Sequence, residues 1–533
     1  MNNLQNQVQS KKYQRRWWTL AVLVVTVIAI GLDQMILNVA IPTLQRELGA
    51  NSSQLIWMVD AYIVVFAVLL LPAGRLGDRF GRAKAMQAGV IIFALSSLAA
   101  AYSGTVELLI AARAVMGVSG ALIMTASLSI VTDVFPRDER GRAIGIWAGV
   151  SAMGIFLGPV IGGVLLENFW WGSVFLINVP VAAVAFVLGF YLLPESKDPA
   201  KPNIDLLGSI LSIGAIGLLV YGIIEAPTRG WTDPVVLATL ITSIPLAAGF
   251  VIWERHTNQP LVDFRVFKNP RFNGGATGTS LASFTRMGAG FGLTQYLQFV
   301  QGYTPLQAGL RLLPLVLGIA VGASFSDRLV GRLGSNRVIA GGMAVLAAGV
   351  AAFILWRPDT AYWVIALNMF IMAFAVGNIM APSTDAVMGA VPEAQSGMAS
   401  AINGVTRMIA GALGAAVIGS AMYTIFAGKV ASAVAVLPAE MAELAQDSVG
   451  ASMVIAESLP TEVGGPLAQA AGRAFTDSFG LAMLIGCAVA LFGAVLVAVY
   501  MPADHLETED GADQEAMTAT DSGTGPAPAP AHQ

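Results

Sequence analysis

A chain of 533 residues that is 56% hydrophobic and only 12% charged is not an ordinary soluble protein, whose charged share is nearer about 25%. Its 29 basic and 33 acidic residues leave a net charge of −4, too small to suggest a nucleic-acid partner. One cysteine, Cys487, excludes an intramolecular disulfide framework and a cysteine metal site, and reads as packing.

Apolar runs of about 20 residues, the length that crosses a lipid bilayer, recur along the chain. They predict helices near 17–42, 54–74, 84–102, 107–132, 141–166 and 170–193, then two near 206–226 and 234–254. Six more follow near 272–299, 305–326, 336–356, 361–382, 398–426 and 476–501, fourteen in all. The first run is too long for a signal peptide and carries Asp33 and Asn38, so it reads as a retained helix. Of the 29 basic residues, 20 fall on the side that holds both termini, against Arg46, Arg229, Arg357, Lys429 and Arg473 on the other. Lys and Arg are retained on the cytoplasmic face, so both termini are expected there. The acidic, Pro/Ala-rich segment 502–533 reads as a disordered cytoplasmic tail.

Two stretches repeat. Gly74-Arg75-Leu76-Gly77 returns as Gly331-Arg332-Leu333-Gly334, and Pro136, Gly141, Ala143, Gly158 and Gly163 are matched by Pro392, Gly397, Ala399, Gly414 and Gly419. Two echoes in nearly the same register point to duplicated halves around a central cavity. The chain then divides into a six-helix bundle at 1–193, two inserted helices at 194–256 and a second bundle at 257–501. An outer segment at about 427–475 is too long for a turn. Its residues 438–458 suit a helical hairpin, broken by Pro460, Gly464, Gly465 and Pro466; a spacer on the membrane surface and a cap over the exit are both open.

The loop after the second helix reads Gly74-Arg75-Leu76-Gly77-Asp78-Arg79-Phe80-Gly81-Arg82-Ala83-Lys84. It resembles the signature loop of the major facilitator superfamily. An acid at a helix start interacts well with the dipole, and the basic set can pair across halves as a conformational switch. The second copy has no Asp at the equivalent place, although Asp327-Arg328 lies just upstream. The fifth helix carries Gly154-x3-Gly158-Pro159-x2-Gly162-Gly163, which resembles the antiporter motif of that superfamily. Its glycine face admits a close neighbour and Pro159 bends the helix.

Ionisable groups at membrane depth cost roughly 2.5 to 3.5 kcal/mol each on an insertion scale and are functional candidates. Asp33 lies about 24 Å into the first helix at about 1.5 Å per residue. Arg113 enters the fourth helix from the other face to nearly the same level, as does Asp60 in the second. Leu32-Asp33-x2-Ile36-x-Asn38-Val39-Ala40-Ile41-Pro42 and Ala111-Ala112-Arg113-x3-Gly117 resemble motifs of the fourteen-helix drug/proton antiporters of the EmrB/QacA type. His256, His505 and His532 lie in a loop or the tail and no lysine lies in a span, so a carboxylate is left to carry a proton. Asp33 opposite Arg113 could alternate between paired and protonated states; a static ion pair is the other reading. Asp60 is either a proton or cation site or a local hydrogen-bonding group.

Met35, Asn38, Trp57, Tyr62, Phe66, Phe284, Arg286, Gln295, Tyr296, Gln298 and Met372 are the candidates for the cavity wall, where aromatic and Met surfaces accept varied apolar cations. Arg286 would limit cation affinity there. Near the start of the thirteenth helix the chain has Asn403-Gly404 where many members of the family carry an Asn-Asp pair, so no third membrane carboxylate is expected. One entering proton against an exported monocation moves no net charge and draws only on the pH gradient, about 1.4 kcal/mol per unit. A second proton adds about 2.3 kcal/mol per 100 mV.

The fold expected is an all-α polytopic major facilitator fold, two six-helix bundles plus two inserted helices. The resemblance implies a proton-coupled multidrug efflux antiporter of the bacterial inner membrane that exports hydrophobic, cationic compounds by alternating access. No metal and no cofactor are expected beyond the proton as coupling ion, and an adaptor protein extending the export path is open. Export of one endogenous metabolite, lipid precursor, siderophore or antibiotic is the alternative, and a non-transporting receptor a more distant one. No nucleophile–base set or nucleotide loop is present in the sequence, which speaks against an enzyme.

Overall fold

The computed structural model describes residues 14–48, 52–196, 205–257, 260–392 and 395–502. The tail, Lys11 and Lys12 lie outside the described residues, as do the side chains of Asn38, Arg46 and Pro159. Among the described residues there is no strand. The helices are α1 (Arg16–Leu48), α2 (Ser52–Phe80), α3 (Arg82–Ala101), α4 (Val106–Val134), α5 (Arg137–Asn168), α6 (Asn178–Leu192), α7 (Leu206–Arg229) and α8 (Pro234–His256). They continue as α9 (Pro270–Gln295), α10 (Leu313–Leu333), α11 (Ser335–Ala351), α12 (Tyr362–Gly389), α13 (Ser396–Val434), α14 (Ala439–Asp447), α15 (Val449–Ser458) and α16 (Thr461–Tyr500). Twelve are long and apolar enough to cross a membrane. The glycine-rich α5 and α9, at 32 and 26 residues, have membrane length too.

Polar residues set many of the starts. Thr105, Asp205, Asp233 and Asn269 accept backbone N–H groups at the N-termini of α4, α7, α8 and α9, satisfying donors the helix cannot. Gly81 ends α2 at φ 114° and Gly334 ends α10 at φ 84°, backbone conformations that glycine adopts without penalty.

The two halves repeat one packing scheme. α1 packs on α5 and α6, α2 on α4, and α3 on α4 and α6; α9 packs on α13 and α16, α10 on α12, and α11 on α12 and α16. Two seams join the halves, α5 against α10 and α2 against α13. α7 and α8 pack on each other, and α7 covers α2 and α13, so the inserted pair lies over one seam only.

Three expectations shift. Gly334 holds the place of Gly81, not of Gly77: each is the positive-φ glycine between two helices. The GRLG echo is therefore one helical turn out of register, because it matched letters where the helix break is the shared feature. Residues 439–458 do form two short helices, but α16 starts at Thr461 and runs through Gly464, Gly465 and Pro466 without a break. Gly464 is there for packing, since a Cβ would run into the Ala456 carbonyl of α15. α13 reaches Val434, well past the expected end at 426.

Candidate functional site

Glycines set the depth at which α1 meets α5. A Cβ on Gly154 would stand 2.5 Å from the Ile28 carbonyl oxygen, and one on Gly158 would stand 2.8 Å from Met35 Cβ. This near-contact of backbones turns Asp33 away from α5, toward α4 and α6. There Arg113 Nη1 donates to Asp33 Oδ2 at 2.5 Å, and Arg113 Nε donates to the Met58 carbonyl at 3.0 Å. Asn178 Nδ2 donates to the second carboxylate oxygen, Oδ1, at 2.9 Å. The Tyr62 ring lies 4.7 Å from the guanidinium carbon. Both charged side chains are sealed, at 1% and 0% exposure.

Chemically this is a carboxylate bonded at both oxygens and a guanidinium with three partners besides the acid, the Met58 carbonyl, the Tyr62 ring and the Met116 sulfur at 4.0 Å. Arginine does not lose its proton in proteins, so Asp33 is the group of the pair that can take one up. Asn178 on α6 was missed by the sequence reading. A single Asn inside an apolar run, following Leu176 and Ile177, was the signal available.

Asp60 does not join this pair. It lies partly buried on α2 and faces α7, where Glu225 repels it, and Trp57 stacks on Tyr221 with centroids 5.7 Å apart. Glu225 also bonds Arg229 Nε at 2.6 Å. The inserted helix thus brings a second carboxylate to Asp60, which no motif on α2 could announce.

Several expected cavity residues are core instead. Tyr62 and Phe66 stack at 5.9 Å and fill the space over Gly120, while Gly117 lies against their backbone. Tyr296 is buried near the far end of the bundle and donates to the Arg357 carbonyl at 2.7 Å. Met372 packs on Gly349 of α11. Aromatic and Met residues serve core and cavity equally well, so residue type could not separate them. Phe284 presses its carbonyl against Gly414, and Gln295 and Gln298 are half-buried at the end of α9 and in the π-helical turn Tyr296–Val300. Arg286 is surrounded by protein and lies near Arg407. A small cavity between the halves is lined by Arg407, Asn403 and Ser400 of α13 and by Leu70, Leu128 and Trp147 of the first half.

The signature segment is not a loop: residues 74–80 are the last turns of α2, and Gly81 alone breaks the helix. Asp78 stands near the end of α2, not at a helix start, at the end of the bundle that carries the start of α1. Asp78 Oδ1 accepts Arg82 Nη2 at 3.1 Å and, across the seam, the Gly397 N–H at 3.2 Å. Gly74 lies against Gly397 and Ala401, and Arg79 covers the Phe80 ring at 5.3 Å. At the other seam a carboxylate also lies close to a glycine, without a hydrogen bond between them: Asp327 Oδ1 would stand 2.5 Å from a Cβ on Gly141 of α5. Gly81 leaves room for Glu195, which accepts backbone N–H groups of Ala83 and Lys84 at the start of α3. Burial raises the Glu195 carboxyl above its ordinary range, while Lys84 and those N–H groups lower it. Gly162 packs on Ile36, and Gly163 faces open space.

The profile of the Major Facilitator Superfamily matches residues 23–415. The chain is 34% identical over 470 residues to the methyl viologen resistance protein of Salmonella typhimurium, covering 88% of this chain and 95% of the relative. It is 32% identical to the tetracenomycin C resistance and export protein of Streptomyces glaucescens, covering 90% and 91%. It is also 32% identical to a multidrug efflux pump of Mycolicibacterium smegmatis, covering 91% and 96%. In fold it is similar to a proton:xylose symporter of the same superfamily, solved with 6-bromo-6-deoxy-D-glucose, at TM-score 0.58 and 13% identity over 92% and 96% of the chains.

Proposed function

Since the chain belongs to the major facilitator superfamily, as a multi-pass membrane transporter whose relatives are drug-resistance exporters, we propose that it exports hydrophobic drug-like compounds in exchange for protons. We place it in the fourteen-helix drug/proton antiporter group, with both termini cytoplasmic. The observation that carries this reading is the sealed Asp33–Arg113 pair inside the first bundle.

The pair offers a way to couple proton and substrate. With Asp33 ionised, α1, α4 and α6 are tied together through Arg113 and Asn178. With Asp33 protonated, Arg113 keeps the Met58 carbonyl and the Tyr62 ring, so its charge is still met while its bond to α1 weakens. α1 is then released to move on the Gly154–Gly158 face of α5. The contacts of Asp78 with Gly397 and of Asp327 with Gly141 close the cytoplasmic end in this state and break when the cavity opens inward. The cationic compounds expected from the sequence suit the acidic seam of Asp60 and Glu225 better than the central cavity, where Arg407 lies.

The test is transport by proteoliposomes under an imposed pH gradient, using ethidium and an uncharged lipophilic dye. The parent should move at least one of them against its gradient, and Asp33→Asn should lose the driven component. Driven transport that survives in Asp33→Asn would sink proton coupling through this carboxylate.

A further inference from the structure

By sequence four arginines lie within the membrane helices, and two are accounted for. Arg113 is neutralised by Asp33, and Arg311 rests over the Tyr303 ring at 3.7 Å and donates to the Gln307 carbonyl at 3.4 Å. Arg286 on α9 and Arg407 on α13 have no ion pair, hydrogen bond or ring contact among the described residues. Both are half-buried, and Arg407 lines the small cavity between the halves. They lie close enough for their charges to repel.

Neither α9 nor α13 carries an acid. The described acids of this half lie elsewhere: Asp327 faces Gly141 with Asp385 near it, Asp477 bonds Lys429 at 3.0 Å, and the others lie in loops, in the short helices α14 and α15 or in the first turn of α16. A guanidinium cannot shed its charge, and two of them at membrane depth without a counter-charge are costly. An anion from outside the chain would complete the arrangement. The planar guanidinium fork fits carboxylate, sulfonate or phosphate oxygens in pairs.

The surroundings extend the site. Asn403, one turn before Arg407 and on the same cavity wall, spends its amide oxygen on the Thr279 hydroxyl at 2.8 Å, which leaves its amide N–H groups as donors. Opposite stand Leu70, Leu128 and Trp147, an apolar and aromatic surface. We propose that Arg286, Arg407 and Asn403 form a subsite for the anionic group of an amphiphilic substrate whose apolar body rests on the first half. This rests on the reading above that substrate passes between the halves.

The probes are 1-pyrenesulfonate and the matched cation 1-pyrenemethyl-trimethylammonium, whose charges do not change with pH. Binding is read by pyrene fluorescence on the full chain in phosphatidylcholine nanodiscs with no gradient imposed. The parent should bind the sulfonate. Arg286→Gln and Arg407→Gln should each weaken sulfonate binding roughly tenfold to hundredfold, the worth of one charge-assisted bond, without weakening the ammonium. Arg286→Lys and Arg407→Lys should recover most of the loss. Sulfonate binding that is unchanged in the Gln variants, or equal loss of both probes with no recovery in the Lys variants, overturns the subsite. Loss of sulfonate binding when phosphatidylglycerol replaces phosphatidylcholine assigns the arginines to a lipid headgroup and overturns it as well. Sulfonate binding as expected, in a protein that moves nothing under a pH gradient, would sink the exporter reading and leave the anion subsite standing.

Discussion

Asp33 and Arg113 hold each other in place at 0% and 1% exposure, so removing one partner is far costlier than removing both. Arg113→Ala leaves a sealed carboxylate with only Asn178 to meet it, and should destabilise the first bundle by about 3–5 kcal/mol. Thermal unfolding in detergent measures this, and a melting temperature equal to the parent's would show that the pair is not sealed as described. Tyr62 gives a finer test, because its ring face and its hydroxyl can be separated. Tyr62→Phe keeps the face under Arg113 and should transport normally, whereas Tyr62→Leu should lose about 1–2 kcal/mol of stability. Equal behaviour of the two variants would remove the ring from the account of how Arg113 tolerates a protonated Asp33.

Among the helices, α5 shows how small residues act at a distance from any chemistry. Its glycines let α1 approach until backbone faces backbone, and that approach aims Asp33 at α4 and α6. Gly158→Val places side-chain carbon where Met35 and the Leu32 carbonyl already lie, so it should abolish transport and lower the yield of folded protein. Gly163→Ala, five residues on, meets nothing within 4 Å and should be tolerated, which a transport assay of the two variants side by side checks. The inserted α7 supplies the other lesson at this scale. It lies over the α2–α13 seam and brings Tyr221 and Glu225 to Trp57 and Asp60, so part of the environment of Asp60 comes from outside both repeated halves.

In the whole molecule, transport by alternating access requires the seams to open, and each sets a carboxylate near the end of one helix close to a glycine at the start of its partner, although only Asp78 accepts that partner's N–H. The α5–α10 seam can be fastened covalently. In a Cys487→Ser background, Gly149→Cys and Ala320→Cys would place their Cβ atoms about 3.9 Å apart, within disulfide range. Oxidation should stop transport and reduction restore it; transport at the parent rate in the cross-linked protein would show that this seam stays closed throughout the cycle.

The series of apolar helices, the place of the α2–α3 connection and the common level of Asp33 and Arg113 were legible in the sequence because each depends on local composition or on counting along a helix of known rise. The bilayer gives every helix a common axis, so counting brought Asp33, Asp60 and Arg113 to one level without saying which acid meets the arginine. Rotation about that axis was not legible, and it decided the rest. Asn178 turns toward Asp33, Tyr62, Tyr296 and Met372 turn into cores, and Arg286 comes beside Arg407, because helices settle where glycines allow closest approach. The register of the repeat failed for a related reason. Gly81 and Gly334 correspond through a backbone angle, which four matching letters do not encode. Pairings made across the seams and by the inserted helices depend on contacts between segments far apart in the chain, so only the tertiary structure could supply them.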